Sequence, residues 1–152
     1  TDEYFFNGKD QLQFLFSANL GSSFGLLRKV ASGGELSRIM LSAKAVLAKY
    51  TQLPTLIFDE IDTGVSGEIA HKMSEIMTQM STHMQVFAIT HLPQIAAKGN
   101  QHFKVFKTTS GANTMTEIKA LNNEERIVEI AQMLSGAAVS ESALNHAKSL
   151  LN

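Results

Sequence analysis

This sequence predicts an α/β fold with parallel strands, and three observations carry that expectation. Two short runs, 55–58 and 85–90, are apolar on both faces and rich in β-branched or aromatic residues, as buried parallel strands are. Between them, residues 66–80 carry Ile69, Met73, Ile76, Met77 and Met80 at the spacing of one helix face, where the methionines read as core filler. A strand–helix–strand crossover makes its two strands parallel. The carboxyl ends of both runs are therefore expected on one edge of a sheet, the edge at which open α/β folds bind ligands.

The remaining elements follow in order. Two strands, 3–6 and 11–17, are expected at the start, joined by Asn7-Gly8, a dipeptide suited to the positive φ of a tight hairpin turn. The Gly/Ser-rich stretch NLGSSFG ends that pattern. Residues 35–50 are good helix formers with Leu36, Ile39, Met40, Ala43, Val46 and Leu47 in helical register, and Pro54 lies past their end. After the second parallel strand, HFKVFK and TMTEIKAL alternate about a TSGAN turn, which predicts an antiparallel hairpin with one wet face; its Lys104 and Lys107 could touch phosphate but are expected to be solvated. Two terminal helices close the chain. The first spans about 124–134 and stops at Gly136; the second begins near Ser140 and uses Leu144, Ala147 and Leu151. With no repeat, low-complexity tract or linker, residues 1–152 read as a single unit.

Composition excludes several classes. At 152 residues and 44% hydrophobic content the chain can build one sizeable core. Its apolar runs fall short of the roughly 20 residues a spanning helix needs, and TDEYFFNGKD lacks the layout of a signal peptide, so a soluble protein without a membrane partner is expected. Thirteen basic against fourteen acidic residues give a net charge of −1, which supplies no electrostatic footprint for nucleic acid. No cysteine is present, which fits a reducing compartment and makes the cytoplasm the default. The chain begins at Thr1 rather than Met, as a processed product or an excised piece of a longer protein would.

Three constellations could carry chemistry. In LIFDEID a dry strand runs into Asp59, Glu60 and Asp62. The cluster reads either as a strand ending in a polar loop or as a cation site. In the second case Asp59 takes Mg²⁺ beside substrate phosphates and Glu60 orients or deprotonates a water. In VASGGELSR, Ser32 and Glu35 form a capping box, and Gly33 and Gly34 occupy the first helical turn. Glycine is unfavourable in a helix by about 0.8–1 kcal/mol relative to alanine, and a bare helix start needs no pair of them. They open backbone N–H groups to an anion at the positive helix end. His91, after the second parallel strand, reads either as a loop residue or as a donor to a phosphate oxygen on the edge that holds Asp59 and Glu60. His71, His83, His102 and His146 have no metal-site spacing and are expected at the surface. No G-x-x-x-x-G-K-[ST] loop occurs, so the chain alone is not expected to hydrolyse nucleotides.

SGGE opening a helix, then TLIFDE, then ITH, in this order and spacing, resembles the carboxyl-terminal lobe of an ABC-type ATPase head. Within that group VASGGELSRIMLSAK, PTLIFDEIDTGVSG, VFAITHLPQIAAKGNQHFKV and AQMLSGAAVSESALNHAKSLL closely resemble the RecN family of SMC-like DNA repair ATPases, over nearly the whole chain. The resemblance implies a fold of parallel strands with crossover helices, antiparallel hairpins and carboxyl-terminal helices. The lysine-bearing phosphate loop would lie in an amino-terminal lobe of the same chain, across a coiled coil. Two heads would close around ATP as a homodimer. Ser32, Gly33, Gly34 and Glu35 would then be the signature motif that completes the partner's ATP site. Asp59 would hold Mg²⁺ through its water shell, Glu60 would be the catalytic base and His91 the switch histidine. DNA would be engaged by the full-length, nucleoid-associated protein. Ala31, Glu35 and the segment IDTGVSG depart from transporter ATPases, and with Ser66 in place of the usual loop aspartate the resemblance gives Asp62 and Ser66 no role. A non-catalytic interaction module that kept the fold is the competing reading.

Overall fold

The computed structural model describes residues 4, 6, 8–51, 53–111, 113–136 and 138–152. Glu3 and Phe5 of the expected first strand and Asn7 of its turn lie outside the described residues. The second expected strand is reduced to β1 (Leu15–Phe16), which pairs antiparallel with β2 (Gly25–Leu26). Ser17 and Ser22 tie the intervening loop together, their hydroxyls 2.8 Å apart. A single helical turn, α1 (Leu27–Val30), leads to α2 (Gly33–Thr51).

Next comes the crossover: β3 (Thr55–Asp59), α3 (Gly67–Ser81) and β4 (Gln85–Ile89), with β3 and β4 parallel and hydrogen-bonded in register from Thr55↔Gln85 to Asp59↔Ile89. A short helix, α4 (Pro93–Lys98), starts on Pro93, a residue suited to a first helical turn because the N–H it lacks would have no partner there. The hairpin β5 (Phe103–Ser110) and β6 (Asn113–Ala120) follows, then α5 (Asn123–Ser135) and α6 (Glu141–Leu151). Asn122 and Glu125 cap α5 reciprocally, and Gly136 ends it at a φ of 78°. Among the described residues no helix is long and apolar enough to cross a membrane.

Two apolar clusters pack the parallel strands and helices α2 to α6. The first gathers Leu41 of α2, Phe58 of β3, Met73, Met77 and Met80 of α3, Met84 just before β4, and Ile95 of α4. The second joins Ala97 of α4 to Ile130 and Ala131 of α5 and Ala143 and Ala147 of α6. The methionines are core filler, as their spacing predicts. Ile69 is not: it is exposed, and the inner face of α3 runs through Ala70, Met73, Ser74 and Met77.

Three further expectations are corrected. The parallel strands are covered on one face only: Phe58 is buried, while Ile57, Phe87 and Ile89 are exposed, because the described residues supply no layer for the second face. On α2 the buried residue is Leu41, backed by Ala45 and Ala48; Leu36, Met40, Val46 and Leu47 are exposed, and Ile39, Ala43, Val46 and Leu47 line an open groove with Phe16. On the hairpin Lys104 is not solvated but pairs with Glu129 of α5, so the face shared with Phe106 is the packed one, and Phe103, Val105 and Ile118 are the exposed set.

His102 also departs from its expected surface position. It is partly buried, its Nδ1 has no hydrogen-bond partner among the described residues, and burial followed by the Arg126 charge holds its pKa below the ordinary 6.5. Arg126 is fixed there by donating to the carbonyls of Gly99 at 2.6 Å and Ala97 at 3.3 Å, at the carboxyl end of α4. The unfolded chain therefore binds a proton at His102 more readily than the folded one. Stability is expected to be full above pH 6.5 and to fall as the pH drops through and below that value. Denaturant titrations between pH 7.5 and about 5 should show this slope, and His102→Gln should flatten it.

Candidate functional site

The carboxyl edge of the β3–β4 pair gathers the acidic residues and the histidine. Asp59 is the last residue of β3 and lies opposite Ile89; the Glu60 N–H donates to the Ile89 carbonyl at 3.1 Å, extending the ladder by one residue. His91 leaves the same edge two residues after Ile89. Glu60 has a φ of 48° and, among the described residues, is the one non-glycine residue in the left-handed region. That conformation is unfavourable for an L-residue by roughly 1–2 kcal/mol. It is held by the Ile89 bond and by Thr63, whose N–H and Oγ1 donate to the Glu60 carbonyl at 3.3 and 2.9 Å. Strain of this kind concentrates at functional positions.

Behind this rim lies Asp62, whose relative exposure is 0%. Its Oδ2 accepts a short hydrogen bond from the Thr90 hydroxyl, and its Oδ1 has no partner among the described residues. Thr90 Oγ1 in turn accepts from the Leu92 N–H at 2.9 Å, and His91 Nδ1 stands 3.9 Å from the same Asp62 Oδ2. The sequence shows an acidic residue two positions after Glu60 but gives no sign that it is buried. The threonine preceding His91 is the other residue that sequence reasoning left without a role.

The start of α2 has the expected capping box. The Ser32 N–H donates to Glu35 Oε2 at 2.7 Å, and the Glu35 N–H donates to Ser32 Oγ at 3.3 Å. The bond from the Ser32 N–H, followed by that from its hydroxyl, holds the Glu35 carboxyl below its ordinary pKa. Neither Gly33 nor Gly34 has a positive φ. A Cβ on Gly33 would enter open space; one on Gly34 would meet the flexible end of Arg38 at 3.3 Å and the Thr63 carbonyl at 3.6 Å. Backbone conformation therefore does not require glycine at either position, and packing does not require it at Gly33. The same contacts put the first turn of α2 against the loop that follows Glu60.

Farther along, Leu36, Ser37, Met40 and Lys44 of α2 face Ile57, Asp59, Glu60 and Ile61 across a groove, with Ser32 and Gly33 outside it. The structure thus brings Asp59, Glu60 and His91 to one rim, and sets the Ser32–Glu35 motif beside it rather than in the same groove. Among the described residues no group of three or more His, Asp or Glu side chains could hold a metal ion unaided. The donor set fits Mg²⁺, which is bound by one or two carboxylates together with substrate phosphates.

No family model matches the chain. Its sequence is 43% identical over 146 residues to the DNA repair protein RecN of Halalkalibacterium halodurans, covering 96% of this chain and 26% of that protein. It is 46% identical over 144 residues to RecN of Treponema pallidum and 42% identical over 144 residues to that of Bacillus subtilis, covering 95% of this chain and 25% of each relative.

The chain belongs to the RecN family.

It spans about a quarter of the length of these RecN relatives. Among solved structures, an Smc head domain with coiled coil and joint from Pyrococcus yayanosii superposes with a TM-score of 0.62 at 18% identity, over 76% of this chain and 21% of that one. A structure from work on ATP-driven dimerization and DNA-stimulated activation of SMC ATPases superposes with a TM-score of 0.58 at 16% identity, over 78% of this chain and 70% of that one. The fold of this RecN-family chain is that of SMC ATPase heads.

Proposed function

We propose that this chain is the carboxyl-terminal lobe of an ATPase head that binds and hydrolyses ATP between paired heads of an SMC-like DNA repair protein. The observation that carries the reading is the common rim: Asp59 at the end of β3, Glu60 just after it and His91 beyond β4 leave the same edge of a parallel strand pair. In this reading Glu60 accepts the proton of the attacking water, and His91 donates to an outer phosphate oxygen. Ser32, Gly33, Gly34 and Glu35 present the first turn of α2 to the phosphates held by the other head. Asp59 would hold Mg²⁺, which when bound neutralises phosphate charge. The amino-terminal lobe, carrying the phosphate loop, would cover the apolar groove of α2 and the exposed sheet face of Ile57, Phe87 and Ile89. DNA is engaged by the whole protein in the bacterial cytoplasm. The exposed sheet face is also what a non-catalytic docking module would use, and hydrolysis separates the two readings.

Gly33 supplies a test with opposite signs. Alanine in the first turn should stabilise the fold by roughly 0.5–1 kcal/mol, since glycine there loses more chain freedom on folding. The added methyl group stands where an anion would approach the backbone, so turnover in the full-length protein should fall by about tenfold or more. A variant that melts higher and hydrolyses slower supports a phosphate seat. Unchanged turnover would return the glycines to helix-start chemistry, and turnover by this segment alone would overturn the proposed division of the site.

A further inference from the structure

We infer that Asp62 is a positioning residue: a buried carboxylate that, through Thr90, fixes the turn carrying His91 and orients its ring, an inference that rests on the ATPase reading above. The neighbouring Thr63 and Gly64 are exposed, yet Asp62 is fully shielded. Among the described residues the one basic side chain within 4.0 Å of it is His91, and no lysine or arginine stands at that distance. Burying a carboxylate without a fixed cation is unfavourable, and a neutral asparagine would brace Thr90 at lower desolvation cost. A strut alone therefore does not account for the residue type.

The hydrogen bonds show what the carboxylate controls. Thr90 Oγ1 gives its proton to Asp62 Oδ2 and accepts the Leu92 N–H at 2.9 Å, so one hydroxyl closes the turn over 90–92 with His91 at its centre. The His91 side chain is 67% exposed and would otherwise sample several rotamers. Asp62 Oδ2, 3.9 Å from Nδ1, draws that nitrogen inward and leaves Nε2 as the nitrogen presented to a ligand. The backbone of Asp62 acts on the other side: its carbonyl accepts the Val65 N–H at 3.0 Å, within the loop whose first turn is closed by Thr63 on the Glu60 carbonyl. One residue therefore ties the loop of the proposed base to the loop of the proposed phosphate donor. A displacement of either is transmitted through the Asp62–Thr90 bond.

The test uses the full-length protein and single-turnover hydrolysis, which reads rates well below the steady-state floor. Asp62→Asn should lower the rate of hydrolysis about tenfold or more with ATP affinity changed less than about threefold, the pattern of a lost catalytic geometry rather than lost binding. Thr90→Val, which keeps shape and removes the hydroxyl, should reproduce the loss, and Thr90→Ser should retain the rate. These two variants test the link from the other side if the asparagine variant fails to fold. In a His91→Ala background, Asp62→Asn should slow hydrolysis by less than about twofold more, because residues acting through one another are not additive. A normal rate for Asp62→Asn, or its full loss repeated in the His91→Ala background, would overturn the inference. If His91→Ala itself hydrolyses ATP at the wild-type rate, the failure lies in the role proposed for His91 and not in Asp62 alone.

Discussion

Glu60→Gln in the full-length protein is expected to lower ATP turnover by about 10²–10⁴-fold, the range associated with loss of a general base. The amide keeps the size of the carboxylate and can still orient a water, but it cannot take up the proton. The backbone supports of this residue do not involve its side chain: the N–H bonded to Ile89 and the carbonyl bonded to Thr63 are unchanged by the substitution. Folding stability should therefore stay close to that of the parent protein while ATP still binds. Paired heads should then accumulate with ATP trapped between them, visible as an ATP-dependent increase in mass by light scattering. Parent-like turnover in this variant would favour the docking-module reading.

Phe58→Ala should destabilise the chain by about 3–5 kcal/mol, the range found for emptying a buried aromatic site. Phe58 is 3% exposed and packs in the cluster that includes Leu41, Met73 and Met77. Since domains of this size are stable by only about 5–15 kcal/mol, much of the folded population is at stake. Ile57→Ala, one residue earlier and 61% exposed, should by contrast change stability by no more than about 0.5 kcal/mol in this segment. Urea unfolding of the two variants checks the pair. Equal losses would mean that both faces of β3 are covered.

The contrast between Phe58 and Ile57 also marks how far the sequence could be read. Period and length predicted β3, α3 and β4 to within a residue or two, because an amphipathic helix between two short apolar runs has one economical arrangement. The capping chemistry of Ser32 and Glu35 was legible because it is local. Which face of an element would be buried was less so. The apolar residues of α2 lie on most of its circumference, and Leu41 is inside because α3 and β3 approach that side. Periodicity describes the helix and not its neighbours. The two-sided apolarity of β3 and β4 predicted a sheet buried on both faces, whereas among the described residues Ile57, Phe87 and Ile89 leave one face bare. At the site, Asp59, Glu60 and His91 could be placed on one edge from topology alone. The burial of Asp62 could not, since it depends on Thr90 twenty-eight residues away. His102 and Arg126 were missed for the same reason: their environment is built by a helix that returns from farther along the chain.

The six residues of α4 join the two apolar clusters, with Ile95 seated in one and Ala97 in the other. So short a splint has no slack: neither half of the segment can melt far without loosening its neighbour, and a single cooperative transition is the natural outcome. Because α4 starts two residues after His91, a tilt of that histidine's loop also has a mechanical route into α5 and α6, through a rod clamped at its far end by the Arg126 guanidinium. The edge that carries His91 and the packing of α5 and α6 are in this way parts of one continuous piece of structure.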